Sequence, residues 1–245
     1  MADPKTVKVG VLIPAEAQLL DTACVDILAM MGKDYVECLE DLPKHLLQIA
    51  PVVTISYITS SPVDAPMCLT ANMKLHATHH IADPDVQPGK LDILLIPGPD
   101  PRVSFEEPVL EFVRGHFQNK STDILSVCTG IMLCGAAGIL DGRTACGPRG
   151  LQAGLKKKYP TANLVGEKYR WIQDENLWSS GGITNGNDLV AAYARAGKHF
   201  PGPLVEIMCM MADVGDRGQS YSEGQTAFTI GFVWQLLRSM FVRKR

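Results

Sequence analysis

The sequence predicts an α/β protein with a mostly parallel central sheet that is covered by helices on both faces. Short, fully apolar runs, typical of central parallel strands, alternate with longer segments whose apolar residues recur at helical spacing. Strands that alternate with helices are joined by right-handed crossovers, which place the strands side by side and parallel. The 245 residues, 46% of them hydrophobic, suffice for one substantial core, and we expect a single domain over residues 1–245.

Four runs are predicted to form the buried strands of this sheet. They are apolar or β-branched and end at turn-forming residues: Val7–Ile13, Val52–Thr59, Leu91–Ile96 and Asp123–Val127. The segment 69–78 is a weaker extended stretch that we expect to form a hairpin arm. Two more extended stretches are expected within residues 163–182, on either side of a turn at 173–176.

The remaining apolar segments have the periodicity of helices. They cover residues 21–32, 105–117, 130–140, 151–158, 187–200, 204–214 and 223–241. Asp21 is placed to cap or precede the first of these helices. The largest irregular insert is expected at Asp34–Ala50, and the pair His79–His80 is expected in a loop.

Bulk composition argues against several classes of function. The formal net charge of −3, without a basic excess, argues against a nucleic-acid partner. The sequence contains no run of 18 apolar residues, so it predicts no membrane span. The first residues lack the apolar stretch of a signal peptide. Seven cysteines without a CxxC pair indicate reduced thiols, so we expect a cytoplasmic protein. The six histidines lack ligand spacing; we expect them to be solvated and expect no metal.

Cys128 is the residue that most strongly suggests a function. It follows a buried strand and precedes a helix rich in small residues, and ligands of open α/β sheets bind at the carboxyl ends of strands. The order strand, nucleophile, tight turn, helix is that of a nucleophile elbow, in which the backbone is often strained. A buried structural cysteine is the alternative for Cys128, and the elbow context makes it the less favoured one.

The position of Cys128 also indicates its chemistry. A helix N-terminus favours negative charge, so we expect it to lower the pKa of the thiol. The first free N–H groups of this helix, at Thr129 and Gly130, are expected to hold an oxyanion or an oxidised sulfur. Among the other cysteines, Cys24, Cys134 and Cys209 are predicted to pack in the core, whereas Cys146 lies in a loop that can approach the site.

At these residues the sequence resembles the ThiJ/PfpI family, whose fold is a flavodoxin-like three-layer sandwich. The matching segments run through about three quarters of the chain, and the most specific block is Ser126–Arg143. Three motifs resemble the isonitrile hydratase branch in particular: QLLD at 18–21, SVCTG at 126–130 and GGITNGND at 181–188.

The resemblance implies roles for individual residues. Cys128 matches the nucleophilic, oxidation-prone cysteine of the family, and Asp21 matches the acidic residue that reaches its sulfur. Thr129 matches the residue whose backbone N–H and hydroxyl face the same pocket. Gly98 matches the first of two glycines whose amides help to form an oxyanion site.

The resemblance further implies that no metal or organic cofactor is needed, and that the protein is a homodimer with the cysteine near the interface. The apolar segment 23–31 is a candidate contact of that dimer, unless the monomer buries it.

The sequence departs from the family pattern at two places. Pro99 stands where a second glycine is usual, and proline has no N–H to donate, so an oxyanion donor must come from Gly98, Asp100 or Thr129. The stretch 144–149 lacks the histidine that relatives often have there, which argues against protease-like and amidotransferase-like chemistry.

Three hypotheses about function follow. The first is hydration of an isonitrile to an N-formamide, in which the Cys128 thiolate attacks a small electrophile and Asp21 transfers protons. The second is a glyoxalase-type conversion of methylglyoxal to lactate, which the missing histidine disfavours because a base must move a proton. The third is a non-enzymatic redox or stress sensor that acts through oxidation of Cys128.

Overall fold

The structure is a computed structural model that describes residues 5–240. Its strands are β1 (Thr6–Leu12), β2 (Glu16–Ala17), β3 (Val52–Thr59), β4 (Met67–Leu69), β5 (Lys74–Leu75), β6 (His79–His80), β7 (Ile93–Ile96), β8 (Asp123–Ser126), β9 (Thr144–Ala145), β10 (Asn163–Leu164), β11 (Trp171–Asp174) and β12 (Leu177–Ser180). Its α-helices are α1 (Leu19–Thr22), α2 (Cys24–Met30), α3 (Lys33–Glu37), α4 (Lys44–Ile49), α5 (Glu107–Gln118), α6 (Gly130–Ala136), α7 (Gln152–Lys158), α8 (Asn185–Arg195), α9 (Gly202–Met211) and α10 (Gln225–Ser239).

Seven strands form the central sheet, in the order β11-β12-β8-β7-β1-β3-β6. All neighbouring pairs are parallel except β11 and β12, which form an antiparallel hairpin at one edge. The predicted fold class is therefore confirmed. Strands β1, β7, β8 and β12 are parallel neighbours, so their carboxyl ends lie side by side. We call this side of the sheet its carboxyl edge, and ligands bind there in folds of this type.

Two apolar cores lie on opposite faces of the sheet and complete a three-layer structure. Alternate residues of a strand point to opposite faces, and β7 shows this clearly: Ile93 and Leu95 join one core, whereas Leu94 and Ile96 join the other. Helices α2, α8 and α9 cover the first face, and helices α5, α6 and α7 cover the second. The predicted strands of the sheet are buried because they lie between these layers.

Helix α2 packs inside the chain instead of presenting a free surface. The segment 23–31 was the candidate dimer contact, yet most of its apolar side chains are buried in the core that also contains residues of α8. Burial in the monomer therefore accounts for its apolar pattern, and the structure gives no support to a dimer contact there.

Two short segments differ from their sequence-based predictions. The expected irregular insert at Asp34–Ala50 contains helices α3 and α4, each of which buries one apolar side chain, Val36 and Leu46. Each helix is too short to show a clear period in the sequence. The expected loop at His79–His80 is strand β6, which pairs with the end of β3 at the edge of the sheet. A two-residue edge strand is specified by its partner strand, so the sequence alone does not reveal it.

Two histidines expected to be solvated are buried instead. His116 is completely buried, with its Nε2 atom 3.0 Å from the carbonyl oxygen of Val86. Burial lowers the pKa of His116 to about 4, so this side chain is neutral at physiological pH. His199 is buried beside Asp123, at the amino end of β8 and hence at the opposite end of the strand from Cys128. Both are part of the packing of the domain.

A small second sheet, β2-β4-β5, lies next to the carboxyl ends of the central strands. The amide of Gln18, directly after β2, donates a hydrogen bond of 2.8 Å to the carbonyl oxygen of Gly98, which follows β7. The amide of Leu19 donates to the hydroxyl of Thr70, which follows β4, at 2.9 Å. These contacts hold the small sheet as one wall beside the ends of the central strands.

Among the described residues, no helix is both long and apolar enough to cross a bilayer.

Candidate active site

Cys128 lies on a strained turn between β8 and α6. Its φ angle is +58°, in the left-handed region that residues other than glycine rarely adopt. The turn is possible because α6 packs closely on the sheet: a Cβ atom at Gly130 would collide with the carbonyl oxygen of Ile96 in β7. The strained backbone expected for a nucleophile elbow is thus present, and it holds the half-buried thiol at the carboxyl edge of the sheet.

Asp21 lies behind this thiol, within α1. Of the two sequence-based alternatives, that Asp21 caps or precedes a helix, only the second holds: Asp21 is the third residue of α1, it precedes α2, and its side chain is completely buried. Its Oδ2 atom accepts a hydrogen bond of 3.0 Å from the amide of Gly98. A Cβ atom at Gly98 would lie 2.5 Å from that same oxygen and would also collide with the hydroxyl of Thr129. Glycine at position 98 is therefore what allows Asp21, Thr129 and the β7 end to approach one another.

The buried carboxyl of Asp21 has a strongly shifted pKa. Burial raises the pKa of Asp21 from 3.8 to about 7, because the charged form loses its hydration. The Gly98 amide, the Cys128 thiol and the Ile183 backbone favour the charged form and offset part of this effect. The second oxygen, Oδ1, has no hydrogen-bond partner among the described residues. Asp21 can therefore take up or release a proton near neutral pH.

The thiol of Cys128 is protonated at neutral pH. Burial and the nearby Asp21 carboxylate raise its pKa to about 11, and the backbones of Ile183 and Thr129 offset only part of that. The expectation that the helix N-terminus lowers this pKa is therefore wrong, because the net shift is upward. Helix α6 has only seven residues, and its dipole does not compensate for lost hydration and a neighbouring negative charge. The two groups titrate as a coupled pair.

Thr129 contributes to the site through its backbone N–H more than through its hydroxyl. The hydroxyl donates a hydrogen bond of 2.6 Å to the carbonyl oxygen of Pro99, so its hydrogen is already engaged. Pro99 itself has no N–H, and the Gly98 amide is used by Asp21. The expected oxyanion role of Gly98 is therefore not supported, and backbone donors toward the sulfur come from Thr129 and Ile183.

A cavity of about 400 Å³ opens at this edge of the sheet. Its lining residues come from the ends of central strands and from the small second sheet: Glu16, Ala17, Gln18, Thr70, Gly98, Pro99, Asp100, Pro101, Cys128, Thr129 and Ile183. None of these residues is a histidine. The cavity is within the size range of pockets for small molecules, and Cys128 is the one lining residue with a nucleophilic sulfur.

Asp100 is at the mouth of the cavity and is held by a neighbour. Its carboxylate forms an ion pair with Arg102 and also accepts the Arg102 backbone N–H at 2.8 Å. The hydrogen bond with the Arg102 side chain is the main reason why the pKa of Asp100 is lowered to about 2. The carboxylate is therefore an anion and does not itself bind an oxyanion, whereas the donor role of the Asp100 backbone N–H stays a prediction.

Three predicted site residues are not among those that line the cavity: Asp21, which lies behind Cys128, and also Cys146 and Gly130. Cys146 is completely buried after β9, where its amide donates to the hydroxyl of Ser179 and its sulfur lies 3.5 Å from the carbonyl oxygen of Tyr169. Gly130 is buried against β7, so its part is to let α6 approach the sheet. The loop position of Cys146 in the sequence did not reveal that β9 turns its side chain into the core.

Comparison with known proteins shows the family. A family model described as the DJ-1/PfpI family matches residues 33–196, about two thirds of the sequence. The chain belongs to the DJ-1/PfpI family. The match begins after Asp21, so it covers the elbow cysteine but not its carboxyl partner.

Relatives of known name or structure support this assignment. The isonitrile hydratase of Pseudomonas putida is 30% identical over 156 residues, which are 62% of this chain and 63% of that protein, so the match covers less than two thirds of the relative's length. The crystal structure of Drosophila melanogaster DJ-1beta has a TM-score of 0.65 and 13% identity, and the alignment covers 85% of this chain and 98% of that one. A ThiJ/PfpI family protein from Pseudomonas syringae has a TM-score of 0.63 and 16% identity, with 98% and 90% covered. At these identities, the structures show a shared fold.

Ile183 is the site residue that sequence reasoning missed in this DJ-1/PfpI family member. It lies in the turn between β12 and α8, and its φ angle of +49° is unusual for a β-branched residue. Its backbone favours the charged forms of both Asp21 and Cys128 and so lowers the pKa of each. The motif at 181–188 was noted for its resemblance, but a side-chain pattern does not reveal which backbone N–H points at the sulfur.

Among residues 5–240, no group of three or more histidine, cysteine or acidic residues is arranged to hold a metal ion.

Proposed function

We propose that this protein is a cysteine-dependent hydratase that converts a small isonitrile into an N-substituted formamide. One observation carries the proposal: a buried carboxyl with a pKa of about 7 lies beside the elbow cysteine, behind a cavity that no histidine of the described residues lines. An acid with a pKa near the working pH is suited to both proton uptake and proton release. Asp21 therefore takes the place that a histidine has in other cysteine enzymes.

The first half of the reaction forms a thioimidate. The Cys128 sulfur attacks the terminal carbon of the isonitrile, and the Asp21 carboxylate removes the thiol proton during the attack. The resulting carboxylic acid gives this proton to the same carbon, which leaves R–N=CH–S bound to Cys128. The raised thiol pKa is consistent with this order, because the proton leaves as the new S–C bond forms.

The second half consumes one water molecule. Asp21, again a carboxylate, accepts a proton from the water as its oxygen adds to the thioimidate carbon, and then gives this proton to the nitrogen. The tetrahedral adduct R–NH–CH(OH)–S then expels the sulfur and gives R–NH–CHO, while Cys128 regains its proton. The amides of Thr129 and Ile183 stabilise the negative charge that returns to the sulfur. The sum is one isonitrile and one water to one formamide.

The free oxygen of Asp21 supports this assignment. Oδ1 is buried without a hydrogen-bond partner within residues 5–240, and such a group in a folded protein normally has an explanation. In the proposed reaction Oδ1 is the atom that exchanges the proton, while Oδ2 stays fixed by the Gly98 amide. The resemblance to the P. putida isonitrile hydratase favours the same reaction class.

The test is turnover of an aryl isonitrile, with the formamide product measured by chromatography. We expect Cys128→Ser and Asp21→Asn to lose activity by about 100-fold or more, since each removes a group that takes part in bond making or proton transfer. Cys38→Ser is the matched control, because Cys38 is an exposed cysteine outside the cavity lining. Absence of turnover by the wild-type protein, or undiminished turnover by Cys128→Ser, would contradict the proposal.

A second candidate is the conversion of methylglyoxal to lactate, and the same Asp21 observation favours it. The sequence-based objection was a missing base, and a carboxyl with a pKa of about 7 can supply one. Lactate formation in a parallel assay separates the two reactions. The redox-sensor hypothesis is less favoured, because oxidation of cysteine follows its thiolate fraction and the pKa of Cys128 is raised.

A further inference from the structure

An irregular segment between α9 and α10, residues 215–221, is fastened to the turn between β12 and α8. We call the segment the strap, and the turn, residues 181–184, the Ile183 turn. Arg170 connects the two. Its guanidinium group donates a hydrogen bond of 2.7 Å to the carbonyl oxygen of Gly218 in the strap, and its own carbonyl oxygen accepts the amide of Gly181 at 2.7 Å. The strap is therefore in place to act on the conformation of the turn.

The Ile183 turn has a backbone that needs such support. Ile183 lines the cavity together with Cys128 and Thr129, and its φ angle is +49°. A β-branched residue keeps this conformation only where the surrounding contacts fix it. The carbonyl oxygen of Ile183 accepts the amide of Gly186 at 3.0 Å, and a Cβ atom at Gly186 would lie only 2.7 Å from the side chain of Val127. Since Val127 precedes the elbow cysteine, the turn and the elbow are packed against each other.

Arg217 is the strap residue that reaches this turn. Its Nη2 atom donates hydrogen bonds to the carbonyl oxygen of Thr184 at 2.8 Å and to Oδ2 of Asp188 at 2.5 Å. Its Nε atom donates to Oδ1 of Asp188 at 3.3 Å. One planar guanidinium group thus binds the residue directly after Ile183 and also forks onto a carboxylate of α8. These contacts fix the turn relative to the first turn of the helix.

Asp188 differs from an ordinary acid at the start of a helix, because it is almost completely buried. Burial is the main reason why the pKa of Asp188 is raised. Arg217 and Arg170 favour its charged form and offset part of this effect, whereas the negative charge of Asp216 opposes them. A buried ion pair contributes little net stability, so what this pair supplies is a fixed arrangement of the groups that it joins.

We infer that Arg217, held by Asp188, is a positioning residue for the reaction at Cys128: it fixes the Ile183 turn so that the Ile183 amide is aimed at the reacting groups. The inference rests on the proposed hydratase reaction, in which this amide stabilises the charge that returns to the sulfur. Arg217 is not among the residues that line the cavity, so it acts through the turn and not by contact with the substrate.

Steady-state kinetics with an aryl isonitrile tests the inference. We expect Arg217→Met to lower kcat by about tenfold and to leave KM within about threefold, because the cavity lining is unchanged while the donor is aimed less well. Arg195→Met is the matched control. The Arg195 guanidinium group also forks onto a carboxylate, that of Glu206, and donates to one strap carbonyl, that of Gly215. None of its hydrogen bonds within the described residues reaches the Ile183 turn, so kcat and KM should stay within about twofold.

A second variant separates positioning from stability. Arg217→Met alone leaves the buried Asp188 carboxylate without its ion pair, which destabilises the fold. Arg217→Met with Asp188→Asn removes both charges and should be the more stable of the two in urea unfolding. It still lacks the donor to the Thr184 carbonyl, so the roughly tenfold lower kcat should remain. A double variant that is folded and has the kcat of the wild type would overturn the inference.

Alkylation of Cys128 by iodoacetamide provides a measurement that needs no turnover. The thiolate is the species that reacts, and the Ile183 backbone favours it. The rate at Cys128, followed by mass spectrometry of its peptide, should fall by about threefold or more in the double variant and stay unchanged in Arg195→Met. An equal or faster rate in the double variant would overturn the inference. Absence of isonitrile turnover by the wild-type protein would instead contradict the proposed function, and the alkylation rates would still decide whether Arg217 positions the turn.

Discussion

Replacing Asp21 by asparagine should change how the stability of the protein depends on pH. The pKa of Asp21 is about 7 in the folded protein and is expected near 3.8 in the unfolded chain. Between these two values the folded state holds a proton that the unfolded state has lost, so the free energy of unfolding falls as pH rises from about 4 to about 7. At about 1.4 kcal/mol for each pKa unit, the loss amounts to about 4 kcal/mol. Asp21→Asn keeps the shape of the side chain but has no proton to lose.

The assay is urea unfolding of wild type and Asp21→Asn at several pH values from 4 to 8, followed by tryptophan fluorescence. The other carboxyls titrate in both proteins, so the difference between the two curves isolates Asp21. We expect the free energy of unfolding of Asp21→Asn, relative to that of the wild type, to increase by about 4 kcal/mol across this range. Asp26→Asn removes an exposed acid from the next helix and is the matched control. Parallel curves for wild type and Asp21→Asn would refute the raised pKa, and with it the role of Asp21 as proton carrier.

Three further substitutions probe the geometry of the site. Gly98→Ala should abolish activity and lower the free energy of unfolding by about 1–3 kcal/mol, because the new methyl group collides with the Thr129 hydroxyl and the Asp21 carboxyl. Gly150→Ala is the control: the position has open space around its Cβ, so neither activity nor stability should change. Ile183→Gly should raise the free energy of unfolding by up to about 1 kcal/mol at its positive φ angle, yet slow turnover because the backbone donor is held less firmly. A variant that is less stable and equally active would contradict this. Tyr221→Phe leaves the amide of Asn185 without the acceptor that it has at 2.9 Å, and should cost about 1 kcal/mol in chemical denaturation; an unchanged midpoint would show that water replaces the contact.

The sequence was sufficient to predict the fold class and most elements of the central sheet. Runs such as Leu91–Ile96 are apolar on both faces, and this pattern has few alternatives to a central parallel strand. The small elements were not predictable in the same way. Helices α3 and α4 and strand β6 have two to six residues each, so their structure depends on the partner against which they pack.

The candidate site was predictable in part. Cys128 could be found because strand, turn and helix signals surround it in a continuous segment. Asp21 came from the resemblance alone, since burial is what distinguishes it from an ordinary helix acid. The direction of the thiol pKa was predicted wrongly, because the sequence shows the helix that follows Cys128 but not the depth of the sulfur or the carboxylate beside it. Backbone donors such as Ile183 have no signal in side-chain chemistry.

The mouth of the cavity has a consequence for which compounds reach the sulfur. Glu16 and Asp100 both line the cavity, and Arg102 forms an ion pair with Asp100 and is also influenced by the charge of Glu16. With two carboxylates and one guanidinium group, the rim has an excess of negative charge, and it repels anions while admitting neutral molecules. The rim comes from β2 of the small second sheet and from the turn after β7, whereas Cys128 follows β8 and Asp21 lies in α1, which comes directly after β2. Cys128 and Asp100 are thus located on different segments, whereas Glu16 and Asp21 share one, so a change at Asp100 alters the charge of the rim without altering the segments that carry the reacting groups.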